Sequence, residues 1–205
     1  MMGLGDGDRA RVEAAVKAAE KRTAAQFALV VAHASDDYAL YPIMCAALLA
    51  LGIGVVVALA VPGLGTWWIA GIEAALFVVA DLIFHVKPVR HLLVPPKVKR
   101  VHAQRLARLE FAALVHNRTV GDVGLLLFIS EAERHVEILV DRGIAEGIAQ
   151  GEWKKIVADF VAAVRAGEVA KALIGAVEAS TALLERHFPP KPGAAKAIPD
   201  RVTEV

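Results

Sequence analysis

Val123 to Asp141 reads VGLLLFISEAERHVEILVD, two apolar runs joined by Glu131-Ala132-Glu133-Arg134. Val123 to Ser130 is short, continuous and apolar, the pattern of a strand covered on both faces. In the second run Val136, Ile138 and Val140 alternate with His135, Glu137 and Asp141, which predicts a strand with one wet face. A connector this short cannot carry a crossover, so the two strands are expected to be antiparallel.

Working outward, Gly143 and Gly147 are expected to flank a loop. Trp153, Val157, Phe160, Val161 and Val164 then recur at helical spacing over Glu152 to Ala166, and Gly167 is a natural stop. A last helix is expected from about Glu168 to His187, ended by Pro189-Pro190. Upstream, a helix resumes after Pro95-Pro96 and reaches about His116. Near the start, Asp6 or Asp8 is expected to cap a helix whose stripe is Val12, Val16 and Ala19. Gln26 to Ala34 (QFALVVAHA) is a further strand of the two-sided kind. The apolar stripes read as core rather than as a cofactor groove.

Between that strand and the later elements stand Pro42 to Val61 (PIMCAALLALGIGVVVALAV), without a charge, and Trp67 to Val86, across the turn Pro62-Gly63-Leu64-Gly65-Thr66. A bilayer core of roughly 30 Å needs about twenty apolar residues at about 1.5 Å rise each, and both stretches reach that length. The first lacks a basic leader and a small-residue cleavage site, so it does not read as a signal peptide. Glu73, Asp81 and His85 interrupt the second span; Glu73 is expected to face the partner helix or a neighbouring chain. Trp67 and Trp68 fit an aromatic belt at the turn end. Lys87, Arg90, His91, Lys97, Lys99, Arg100, Arg105 and Arg108 follow the second span, whereas the turn is uncharged. The positive-inside rule then places the turn outside and both termini in the cytoplasm of a multi-pass protein of the cell (inner) membrane. The same basic run is expected to rest on anionic headgroups, although a solvated helix face has the same composition.

The expected fold class is α/β, a small mixed sheet with covering helices, interrupted after its first strand by a transmembrane helical hairpin. The expected division is 1–41 for the first helix and strand, 42–86 for the hairpin, 87–190 for the remainder of the domain and 191–205 for a tail. The first piece has too little surface to bury alone and is expected to pair with the C-terminal piece. With 57% apolar residues and a mean hydropathy of +0.52 the chain is too apolar for disorder, and a formal charge of +1 argues against a nucleic-acid binder. Cys45 is the single cysteine, so neither an intramolecular disulfide nor a thiolate metal site can form, which suits a reducing compartment.

The run Val123 to Ile144, VGLLLFISEAERHVEILVDRGI, resembles the core of the TPM domain, the family named after thylakoid-lumen and photosystem II repair proteins. The resemblance continues through Trp153, Arg165-Ala166-Gly167 and Leu184-Glu185-Arg186-His187-Phe188-Pro189. Ile198-Pro199-Asp200-Arg201-Val202 resembles the ending of a bacterial membrane-bound branch with a two-span hairpin inserted after the first strand. Thr119-Val120-Gly121-Asp122-Val123 is longer than that family's usual tight Thr-Gly-Val turn. The resemblance implies the fold more firmly than a reaction: some plant members are associated with acid phosphatase activity and divalent-metal binding, others with accessory roles in membrane complexes.

If the first two strands are parallel, their C-terminal ends bring Asp36 and Asp37 near Ser130, Glu131 and Glu133, where open α/β sheets bind ligands. Asp36, Asp37 and Glu131 are then the candidate ligands for Ca²⁺ or Mg²⁺. The plainer alternative has Asp36-Asp37 capping the membrane helix and Glu131 and Glu133 in a solvated turn, with Asp141-Arg142-Gly143 forming a local turn and an exposed ion pair at the opposite sheet end. No Walker loop, dinucleotide fingerprint, HExxH or aspartyl-phosphatase signature is present, and the histidines are dispersed. The leading expectation is a membrane-anchored, non-catalytic interaction or assembly module. Its expected partners are the lipid bilayer and a membrane protein. A divalent-metal-dependent phosphatase is the alternative, and a third is a homo-oligomer moving ions or protons past Glu73 and Asp81.

Overall fold

Strand periodicity divides the apolar runs between two cores. In β1 (Gln26–Ala32), Phe27, Leu29 and Val31 join one cluster, while Ala28, Val30 and Ala32 join another. β2 (Gly124–Ser130) does the same, with Leu125, Leu127 and Ile129 on the first side and Leu126 and Phe128 on the second. This follows from successive side chains pointing to opposite faces, and it requires both faces to be covered. The structure is a computed structural model that describes residues 5–116, 123–190, 198 and 202–204.

The chain folds as two units, Met1–Ser35 with Arg100–Val205, and Asp36–Lys99. In the first, the sheet order is β3-β2-β1-β4. β1 and β2 are parallel, β2 and β3 (His135–Val140) antiparallel, and β4 (Val202–Glu204) parallel to β1. The sheet is therefore mixed, and the strand from the N-terminal piece lies inside it. The sequence reading has no strand in the tail, yet Val202 is buried in the first core and Ile198 in the second. β3 differs from the one-wet-face expectation: all six residues are half-buried, and His135 and Glu137 pair at 3.1 Å on the polar face.

One face of the sheet carries α1 (Asp6–Glu20), α7 (Gln150–Arg165) and α8 (Val169–His187); the other carries α5 (Pro96–Phe111), continued by a π turn at Ala112–His116. The Val12, Val16 and Ala19 stripe is buried as expected. Asp6 and Asp8 do not cap; Gly5 is the N-cap and the acids stand in the first turn, where the helix dipole favours them. Gly143 and Gly147 belong not to a loop but to α6 (Arg142–Gly147), because Asp141 caps it by accepting from Arg142 N at 3.0 Å. Asp141 is itself buried, which corrects the exposed ion pair expected there; Arg142 pairs instead with Glu146 at 3.3 Å. Ile156 joins Trp153 and Phe160 as the buried stripe of α7.

Gly167 ends α7 with φ 86°, Gly167 N donating to Val164 O and Glu168 N to Ala163 O. This paired closure uses the left-handed conformation that glycine adopts without a Cβ penalty. The two pieces of the domain are tied at their polar margins too. Arg22 donates twice to Glu185 Oε2, at 3.0 and 2.7 Å, and both Thr23 Oγ1 and Ala24 N donate to Phe188 O. Arg9 of α1 pairs with Glu204 of β4, and that carboxylate holds the guanidinium above its ordinary pKa. The Thr119 to Asp122 segment lies outside the described residues.

The second unit consists of α2 (Leu40–Ala60), α3 (Thr66–Phe84) and α4 (Lys87–Leu93). Pro42 is tolerated in the first turn of α2, where its missing N–H breaks no helical bond. Pro42, Ala46, Ala50 and Gly54 form a buried seam at four-residue spacing, the small-residue pattern that lets helices approach closely. Glu73 of α3 fills the space over Gly54: a Cβ there would stand 1.8 Å from Glu73 Oε1 and 2.5 Å from its Cγ. Glu73 therefore faces the partner helix, as expected. Gly54→Ala is expected to displace that side chain and lower the stability of the detergent-purified chain by about 1–3 kcal/mol. Adding Glu73→Ala should recover most of the loss in thermal unfolding; an equal loss in both backgrounds would show that Glu73 does not fill the groove.

Candidate functional site

The register of β1 and β2 builds the polar cluster beyond their C-terminal ends. Ala32 is paired with Ser130, and the in-line pairing continues as Glu131 N donates to Ala32 O at 2.9 Å and Ala132 N to His33 O at 3.1 Å. His33 therefore stands opposite Glu131, their Nδ1 and Oε2 atoms 3.3 Å apart. Ser35 stands opposite Glu133. The Glu133 carboxylate accepts from Ser35 N at 3.1 and 3.2 Å, from Ser35 Oγ at 3.3 Å, and from Ser130 Oγ in a short contact. The two serine hydroxyls are 2.9 Å apart.

Ser130 is fully buried, so its hydroxyl needs this partner: an orphaned buried polar group costs about 1–3 kcal/mol. Glu133 consequently joins the loop after β1 to the turn after β2. Arg134, with φ 50°, completes that turn in the left-handed region, an uncommon position for a residue with a Cβ. The turn is not merely solvated, because Glu131 has a side chain only 15% exposed. One of its oxygens, Oε1, is buried with no hydrogen-bond partner among the described residues.

The sequence-derived ligands are distributed between the two units. Glu131 lies in the first, Asp36 and Asp37 in the second. Asp36 does not cap α2, whose N-cap is Ala39 with no side-chain cap; its Oδ1 accepts from Tyr38 N at 3.1 Å in a local turn. Tyr38 has φ 51° and is buried. Among the described residues no group of three or more His, Cys, Asp or Glu is placed to hold a metal ion. Chemically, the first-unit cluster offers one carboxylate oxygen in need of a partner and a second carboxylate already engaged by serines. Sequence reasoning missed Ser35 and the His33–Glu131 pair. The signal for both was the parallel register, which sets residues at equal distances past Ala32 and Ser130 side by side.

Residues 100–183 match the family model of the TPM domain. The chain carries a TPM domain. The matched segment begins in α5 and runs through β2, β3, α6 and α7 into α8, while α1 and β1, from before the inserted unit, complete the sheet and its helical cover. Among solved structures, the chain is similar to the NMR structure of BA42 protein from the psychrophilic bacterium Bizionia argentinensis. The identity is 13%, with a TM-score of 0.62 over 98% of this chain and 95% of that one, a likeness of fold. No curated protein matches the chain.

Glu133→Ala leaves Ser130 Oγ and Ser35 N without their acceptor and is expected to destabilise the TPM unit by about 1–3 kcal/mol. Glu133→Gln, which keeps one acceptor oxygen, should lose less. Denaturant unfolding of the full chain in detergent measures both; an unchanged midpoint for Glu133→Ala would show that the cluster does not hold the strand ends together.

Proposed function

We propose that this protein is a membrane-anchored TPM-domain module, in which α2 and α3 cross the bilayer and the α/β unit serves on its cytoplasmic face. There it acts as a non-catalytic interaction or assembly module for a membrane protein partner. The observation that carries the anchor is the apolar surface of the hairpin. Only 17% and 6% of the apolar windows of α2 and α3 are buried, whereas a core helix of a soluble protein would be mostly covered. Leu48, Leu51, Val55, Val56 and Leu59 on α2, and Val78, Val79, Leu82 and Ile83 on α3, are all exposed. Hydrocarbon is the solvent in which such a surface is stable. Trp67 and Trp68, 91% and 71% exposed at the turn end of α3, suit the headgroup region. The orientation rests on the basic residues after α3 and the uncharged turn.

The anchored chain should stay in the membrane pellet through alkaline carbonate washing. In a Cys45→Ala background, a membrane-impermeant maleimide is expected to label Gly63→Cys in intact cells but Ala10→Cys only after the cells are opened. Extraction by carbonate would remove the anchor, and the reverse labelling pattern would invert the topology.

Glu131 Oε1 favours a second reading, because a buried carboxylate oxygen without a partner is the kind of group that a cation satisfies. In that reading Glu131 would be a hard-oxygen ligand for Ca²⁺ or Mg²⁺. The metal would supply an activated water for hydrolysis of a phosphate ester. Titration of the full chain with either cation should then raise its thermal stability and release phosphate from a generic ester, both effects disappearing in Glu131→Gln. Neither effect in the parent protein would leave the non-catalytic module.

A further inference from the structure

α5 has two unlike faces. Its inner seam is Ala103 and Ala107, fully buried with Ala28, Val30, Ala32, Leu126 and Phe128 of the sheet. The outward side bears Val101 and Leu109, 61% and 59% exposed, interleaved with the exposed Arg105 and Arg108. Together with Gln104 these residues line a shallow groove of about 290 Å³. At 3.6 residues per turn Glu110, the only acid in α5, falls on the side opposite Val101. Among the described residues neither Arg105 nor Arg108 has an acidic partner.

A helix face made for water alone does not need a valine and a leucine between its arginines. A face made for a packed protein core does not leave two guanidinium groups unneutralised. Apolar side chains flanked by cations match the boundary between anionic headgroups and acyl chains, where the former neutralise the arginines and the latter receive the apolar groups. Chain continuity points to the same occupant: α5 starts at Pro96, separated from the end of α3 at Phe84 only by α4 and short connectors. A tether of that length keeps a bilayer surface at high effective concentration.

We propose that the Val101, Arg105, Arg108 and Leu109 face of α5 docks on anionic phospholipid headgroups of the membrane that α2 and α3 enter. The inference rests on the membrane reading of the hairpin, and the experiment separates the two. The full chain carrying Cys45→Ser and Gln104→Cys, labelled with a polarity-sensitive dye, is reconstituted into phosphatidylcholine vesicles with and without phosphatidylglycerol, each containing a quencher-bearing lipid. Flotation reads the anchor and quenching reads the docking. Flotation with both vesicles is expected, with quenching only where phosphatidylglycerol is present and weakened by salt. Arg105→Glu with Arg108→Glu should lower the ratio of quenched to unquenched label at least about tenfold without changing flotation or melting. Flotation without quenching in either vesicle overturns the docking and leaves the anchor. Equal quenching in both vesicles, or quenching that survives the double charge reversal, also overturns it and redirects the face to a protein partner. Failure to float with either vesicle overturns the anchor and the docking together.

Discussion

The parallel pairing of Gln26–Ala32 with Gly124–Ser130 is the contact on which the rest of the first unit depends. Its members are far apart in the chain, so nothing local holds them in register; the apolar side chains of two faces do. A slip of one residue would turn Phe27, Leu29 and Val31 to the alanine seam of α5 and place Ala28, Val30 and Ala32 under α1, α7 and α8. The same register continues past the sheet. His33 with Glu131 and Ser35 with Glu133 are each separated by 98 residues, the offset of the strand pairs themselves. The polar cluster is thus a continuation of the hydrophobic one, placed by the same alignment.

That pairing must form across an inserted unit, Asp36–Lys99, which a flexible chain could span only at an entropic cost. The insertion lowers that cost by folding on itself. α2 and α3 pack side by side through the Pro42, Ala46, Ala50 and Gly54 seam, so most of the inserted residues are ordered by their own contacts. Glu73 over Gly54 shows how close the fit is: a glycine makes room for a carboxyl side chain in a mostly apolar helix pair. The hairpin and the α/β core also differ in what covers their apolar residues. The sheet is covered by helices on both faces, whereas α2 and α3 leave most of their apolar side chains exposed.

Much of this was legible in the residues because it rests on local patterns. Continuous apolar runs announced β1 and β2 as two-sided strands, a connector too short to cross over announced the antiparallel β3, and small-residue punctuation announced the end of α7 at Gly167. What escaped depends on distant partners. Val202–Glu204 is too short to carry a pattern and becomes a strand only because the free edge of β1 accepts it. Asp141 reads as a surface acid beside an arginine, yet it is buried because it caps α6. Asp36, Asp37 and Glu131 stand out in the sequence for their carboxylates and their places after the strands, whereas Glu133 is the residue whose carboxylate gathers Ser35 and Ser130. Its partners Ser35 and Ser130 can be paired with it only when the register is known.

The distribution of satisfied and unsatisfied groups bears on what the protein is for. At the strand ends, the Glu133 carboxylate and the two serine hydroxyls are engaged with one another, and among the described residues Glu131 Oε1 is a buried oxygen of that cluster without a hydrogen-bond partner. A catalytic centre ordinarily holds several groups poised toward a ligand rather than toward each other. The surfaces that the fold leaves unsatisfied are larger: the apolar flanks of α2 and α3, and the arginine and aliphatic face of α5. Burial of apolar area contributes roughly 25 cal/mol per Å², so several exposed leucines and valines outweigh one unpaired oxygen as a driving force for association. On that comparison the larger unsatisfied surfaces of this chain are the apolar flanks of α2 and α3 and the outer face of α5, and the unpaired oxygen at the strand ends is the smaller term.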